Sequence, residues 1–149
     1  MGATRILGVH PLLMVADVPR TLTFYRELGF IDKMQLLHNG RPYYAEVSVR
    51  SELTEYLLMF LAREWWEPAT EREFSRLGAG VTVYLPVEDV ETAFENCRHL
   101  HHRLVIPVTE RYYGREFILS DEDGYRLTFF QPNPHGEILG PGIQIWKQR

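Results

Sequence analysis

The chain has almost nothing to offer redox or thiolate chemistry. Cys97 is the only cysteine among 149 residues, so neither an intramolecular disulfide nor a thiolate metal cluster can form. No apolar run approaches the roughly 20 residues that span a bilayer. The opening MGATRILGVH lacks the apolar core of a signal peptide, so a cytoplasmic protein with no membrane partner is expected. Positive charge is not in excess either. The formal net charge is −4, which provides no basic patch for nucleic acid. Catalytic dyads, phosphate loops and nucleophile motifs are also missing.

What remains is ordinary for a folded, soluble chain, with 45% hydrophobic and 24% charged residues. Its length suits one domain, or two small modules sharing a core, and can bury roughly two-thirds of the unfolded surface. Ile6 to Val15 reads as a strand, with Pro11 arguing for an edge position or a bulge. Asp17 is placed to cap a helix that tolerates Pro19 in its first turn, buries Leu22, Phe24, Tyr25 and Leu28, and stops at Gly29. Short strands follow at Met34–Leu37, Tyr43–Val49 and Tyr56–Ala62, the last nearly continuous in apolar residues. Residues 65–80, with Trp65 and Trp66, read as a linker carrying a short helix. Val81 to Val87 then begins the same order again: a strand, a helix capped by Asp89 and running to about Leu100, and strands at Leu104–Val108, Arg115–Leu119 and Tyr125–Gln131. Val15-Ala16-Asp17-Val18 answers Val87-Glu88-Asp89-Val90, so the chain is an internal repeat: a module over 1–64, a second over 81–132, and a tail over 133–149.

The final hairpin is the most informative stretch. Asp121-Glu122-Asp123-Gly124 is turn chemistry between two alternating strands. Tyr113-Gly114-Arg115, then Phe117, then this acidic turn, resembles the closing hairpin of the vicinal oxygen chelate superfamily, which includes glyoxalase I, bleomycin-resistance proteins and extradiol dioxygenases. The usual turn there is Asp-Pro-Asp-Gly, and Glu122 stands in the proline's place. The resemblance implies an α+β fold of two βαβββ modules whose curved sheets form a ligand-binding cleft.

Metal-dependent members of that superfamily draw their ligands from the first and last strand of each module, because imidazoles and carboxylates hold a divalent ion while leaving positions for substrate oxygens. The repeat places those positions at His10, Met59, Thr82 and Thr128, and only His10 is a strong ligand. No His, Asp, Glu or Cys lies in Tyr56–Ala62, Val81–Pro86 or Tyr125–Phe130 to rescue a register error. No metal and no cofactor is expected. His10 is then a polar group at the cleft floor or a hydrogen-bonded structural histidine. His38, in a turn, and His99, His101 and His102, at a helix end, are expected at the solvent surface.

Without the metal, the resemblance points to the bleomycin-resistance branch, whose members hold a ligand rather than transform it. Strand parity with the four former ligand positions directs Leu12, Met14, Leu57, Met59, Tyr84 and Phe130 to the cleft, with Thr82, Arg126 and Thr128 as polar groups. These residues line an apolar ligand pocket or fill the cleft as core. Trp65, Trp66, Tyr112 and Tyr113 are rim rings for a planar ligand, or packing at the junction between modules. The reading is a metal-free binding protein for a small apolar or aromatic compound, with no catalytic residue assigned and a homodimeric state expected from Ile143, Ile145 and Trp146. The alternatives are a lyase or dioxygenase of the same superfamily with an unusual ligand set, a metal-free catalyst with His10 as its general base, and a structural or regulatory dimer.

Overall fold

The computed structural model describes residues 4–66, 75–134, 136 and 141–144. The chain forms two compact units, Met1–Leu77 and Gly78–Arg149. The helix expected within 65–80 falls mainly on residues outside those described, as do Ile145 and Trp146.

The first unit runs β1 (Leu12–Val15), α1 (Val18–Glu27), β2 (Ile31–His38), β3 (Arg41–Arg50) and β4 (Glu55–Ala62), in a sheet of order β1-β4-β3-β2. β1 lies parallel to β4, which its crossover through α1 requires, whereas β2, β3 and β4 form an antiparallel meander. β1 is shorter than the apolar run from Ile6 suggests. Residues 4–11 form no regular element, and Ile6, Leu7 and Val9 are more than three-quarters exposed. Pro11 contributes only its carbonyl, which accepts from Met59 N at 3.0 Å, and the strand starts after it.

Local chemistry sets the helix as the sequence indicates. The Asp17 side chain accepts from Arg20 N at 3.1 Å, Pro19 sits in the first turn, and Gly29 leaves the helix at φ +101°. Val18, Leu22 and Tyr25 are essentially fully buried. Tyr25 meets Phe60 at 4.8 Å between ring centroids, so α1 covers the face carrying Leu13, Val15, Ala45, Val47 and Phe60.

The second unit repeats this with β5 (Thr82–Pro86), α2 (Val90–Asn96), β6 (Leu104–Arg111), β7 (Gly114–Ser120) and β8 (Arg126–Pro132), in sheet order β5-β8-β7-β6. The architecture is therefore α+β, two βαβββ modules with open four-stranded sheets. Asp89 caps α2 by accepting from Glu91 N at 3.0 Å. The helix ends at Asn96, earlier than expected, and the chain continues to Arg103 as a 3-10 turn. His101 accounts for part of the change, since its Nε2 lies 2.9 Å from Phe94 O and its ring packs on Phe94 at 4.2 Å. It is half-buried rather than a solvent-facing histidine. Phe117 stacks on Phe129 at 4.6 Å and meets Phe94 edge-on, which fixes α2 over the odd-numbered face of β7 and β8.

The acidic turn closes on itself. Asp121 is 3% exposed, and its Oδ1 accepts from Asp123 N and Tyr125 N, each at 2.9 Å. Glu122 pairs with Arg103 at 3.6 Å. Gly114 is required by close approach: a Cβ there would stand 2.2 Å from Gln131 O and 2.8 Å from a Phe130 ring carbon. Neither the β8 backbone nor the ring can move aside cheaply. Gly114→Ala is expected to cost about 3 kcal/mol or more. Urea unfolding should show a lowered midpoint with an unchanged slope.

Candidate functional site

Alternation along the strands assigns the second face of each sheet, the one that carries no α-helix among the described residues. In the first module the register aligns Leu12, Met59, Glu46 and Met34 in one row across the sheet. The next row holds Met14, Leu61, Tyr44 and Leu36, and Leu57 stands beside Ser48 and Ile31. Leu12, Met34 and Leu36 are 36–41% exposed, whereas Met14 and Ser48 are buried. Three expected cleft residues, Leu12, Met14 and Met59, thus lie on adjacent rows of one face, and Leu57 extends it.

This face carries a polar group that strand-end reasoning missed. The Tyr44 hydroxyl donates to Glu46 Oε1 at 2.8 Å and lies 3.1 Å from Met59 Sδ. Desolvation, with the Glu46 carboxylate adding to it, pushes the Tyr44 phenol up to about 12. His10 is not part of this cluster. It precedes β1, is exposed, and its ring turns back so that a Cβ on Gly8 would lie 3.1 Å from Nε2.

In the second module the corresponding rows are Thr82, Arg126 and Ser120; Tyr84, Thr128, Ile118 and Ile106; and Pro86, Phe130, Glu116 and Thr109. Thr82 and Thr128 satisfy one another, Oγ to Oγ at 2.7 Å. Tyr84 and Phe130 meet edge-on at 6.0 Å, and Tyr113 approaches Phe130 at 5.7 Å. Thr82, Tyr84, Tyr113, Arg126, Thr128 and Phe130 therefore share one face, with Thr128 fully buried and Arg126 exposed.

Glu116 lies at the centre of this group and was not anticipated. It is 3% exposed, and its Oε1 accepts from Tyr113 Oη at 2.5 Å and Arg111 Nε at 3.1 Å. Burial raises the Tyr113 phenol first, and the bond to Glu116 and the Tyr84 hydroxyl raise it further. The sequence held a signal for both carboxylates. Glu46 and Glu116 are charges inside otherwise apolar, alternating strands, on the parity that faces away from the helix.

The rim rings separate. Tyr112 and Tyr113 meet edge-on at 4.9 Å beside the Glu116 group. Trp65 instead stacks on Tyr43 at 4.2 Å and contacts His38 edge-on, at the end of β2 and the start of β3. Trp66 is half-buried beyond it.

The four family ligand positions do not make a metal site of the usual kind. Met59 and the mutually bonded Thr82 and Thr128 offer a thioether and hydroxyls in place of imidazoles and carboxylates, and His10 is exposed beside Gly8. Among the described residues, no group of three or more His, Cys, Asp or Glu is placed to hold a metal ion. No described helix is long and apolar enough to cross a membrane.

Comparison with curated protein sequences finds no match. Solved structures do align. A glyoxalase/bleomycin resistance protein/dioxygenase from Nocardioides is 18% identical, with a TM-score of 0.71 over 96% of this chain and 92% of that one. TioX from Micromonospora sp. ML1 is 17% identical, with a TM-score of 0.62 over 85% of this chain and 100% of that one. TnmS3, an antibiotic binding protein from Streptomyces sp. CB03234, is 16% identical, with a TM-score of 0.61 over 87% and 100%. At such identities these likenesses concern the fold. The model of the Glyoxalase/Bleomycin resistance protein/Dioxygenase superfamily matches residues 8–129, and the chain belongs to that superfamily.

Proposed function

We propose that the protein binds a small apolar or aromatic compound on the helix-free faces of its sheets and sequesters it without transforming it. The observation that carries this reading is the occupancy of the family's ligand positions. Met59 stands among Leu12, Met34 and Leu36, and Thr82 and Thr128 bond to each other beside Tyr84 and Phe130. Apolar and aromatic surface with a few polar groups suits a small organic molecule. Burial of its apolar area provides roughly 25 cal/mol per Å². The description of TnmS3 as an antibiotic binding protein lends support at the level of the fold. Met59 is suited to such a role, since a flexible, polarizable thioether adapts to varied apolar shapes.

The second reading is a metal-dependent lyase or dioxygenase of the same superfamily with an unusual ligand set. Elemental analysis of protein purified without chelators separates the two. Metal well below stoichiometric is the expected result, and near-stoichiometric zinc, nickel, manganese or iron would favour the enzyme. A cytoplasmic homodimer completes the proposal, because each sheet leaves two strand edges to cover. Sedimentation equilibrium at micromolar concentration is expected to give twice the chain mass.

Met59→Glu tests the binding face. The new carboxylate would stand directly across from Glu46, and like charges at opposed positions repel. An unpaired charge against an apolar ligand costs several kcal/mol, whereas a tenfold loss of affinity needs about 1.4 kcal/mol. Affinity for a ligand found by thermal-shift screening is expected to fall at least tenfold in titration calorimetry, with chelator present so that no cation bridges the two carboxylates. Unchanged affinity in a folded variant would place the ligand elsewhere.

A further inference from the structure

The second module carries an unusual atom on its helix-free face. Glu116 is 3% exposed, and among the described residues its Oε2 is buried with no hydrogen-bond partner. Both donors in reach, Tyr113 Oη and Arg111 Nε, go to Oε1. A buried carboxylate oxygen without a donor is costly, and folded proteins rarely leave one unless something else completes it. The first module shows the contrast. Glu46, bonded by Tyr44, is only half-buried, so water can solvate it.

The surroundings restrict what can complete Glu116. Phe130 is its cross-strand partner, Tyr113 and Tyr84 both meet the Phe130 ring, and Tyr112 meets Tyr113. Aromatic edges and faces at these separations suit a flat, apolar body. The charge balance argues against a cation. Arg111 already neutralises Glu116, and Arg126 adds a positive charge on the same face with no carboxylate opposite it in the sheet. A neutral donor meets the need of Oε2 without adding charge.

We propose that Glu116 Oε2 is the recognition atom of a donor-selective subsite, and that its ligand is a neutral aromatic compound bearing a hydroxyl or N–H group. The ligand's ring lies against Phe130, Tyr113 and Tyr84, and its donor completes the carboxylate. Arg111, whose side chain is 36% exposed, stays on Oε1 and keeps the carboxylate neutralised while the ligand's donor meets Oε2. This subsite rests on the small-molecule reading above and specifies the chemistry of its ligand.

A matched probe pair tests it: beta-naphthol, and its methyl ether, which keeps the ring system and lacks the donor. Both are titrated against the whole chain by ligand-observed NMR, with the wild type, Glu116→Gln and Glu116→Leu. The expected result is at least tenfold tighter binding of the naphthol by wild type. Glu116→Leu should bind the two equally. Glu116→Gln, whose carbonyl takes the Tyr113 and Arg111 donors and turns its amide NH2 to the former Oε2 position, should lose the naphthol preference or reverse it. Equal binding of both probes by wild type would overturn the donor subsite while leaving the binding function standing. No binding of either at millimolar concentration would overturn both. The wild-type comparison does not depend on either variant folding, and far-ultraviolet circular dichroism checks the variants.

Discussion

Among the described residues each module has one α-helix for a sheet with two faces, and the rest of the structure depends on that inequality. A four-stranded sheet left bare on both sides would not be stable, and one amphipathic helix covers only one side. In the first module α1 seats Tyr25 on Phe60, with Val15, Ala45 and Val47 around them, all essentially inaccessible. In the second, α2 sets Phe94 against Phe117, itself stacked on Phe129. These contacts leave the opposite face to side chains that the helix does not need. That is where Met59, Tyr84, Phe130 and the two interior carboxylates lie.

The repeat makes the modules alike in backbone and lets them differ in chemistry. Leu12 opposes Met59 as Tyr84 opposes Thr128, so Met59 and Thr128 hold equivalent places. One offers a thioether touched by a tyrosine hydroxyl, the other a hydroxyl already held by Thr82. The carboxylates differ as well. Glu46 sits in the Met59 row, whereas Glu116 sits one row along from Thr128, beside Phe130.

Small backbone constraints hold these faces in register. The Asp121 side chain fixes the turn before β8, and Gly114 lets the start of β7 approach Gln131 closely enough to align Glu116 with Phe130. A slip of one residue would turn Glu116 toward α2 and place Phe117 on the other face. The signature glycine and the acidic turn therefore serve the site by serving the pairing.

The amino-acid sequence by itself determined the order of elements, the repeat, both helix caps and the α+β class. Those follow from local rules: a carboxylate before a helix, a glycine after it, a period of two along a strand. It also determined which strand residues share a face, so Leu12, Met14, Leu57 and Met59, and likewise Tyr84, Arg126, Thr128 and Phe130, could be grouped in advance. Only tertiary structure decided the rest. The length of β1 depended on whether its edge residues found a partner, and residues 4–11 did not form a strand. His101 was drawn to Phe94 O by packing that no spacing encodes. Glu46 and Glu116 became site residues only when β3 and β7 were laid beside the final strands. Their partners, Met59 and Phe130, lie more than ten residues away in the chain, and strand pairing alone brings them together.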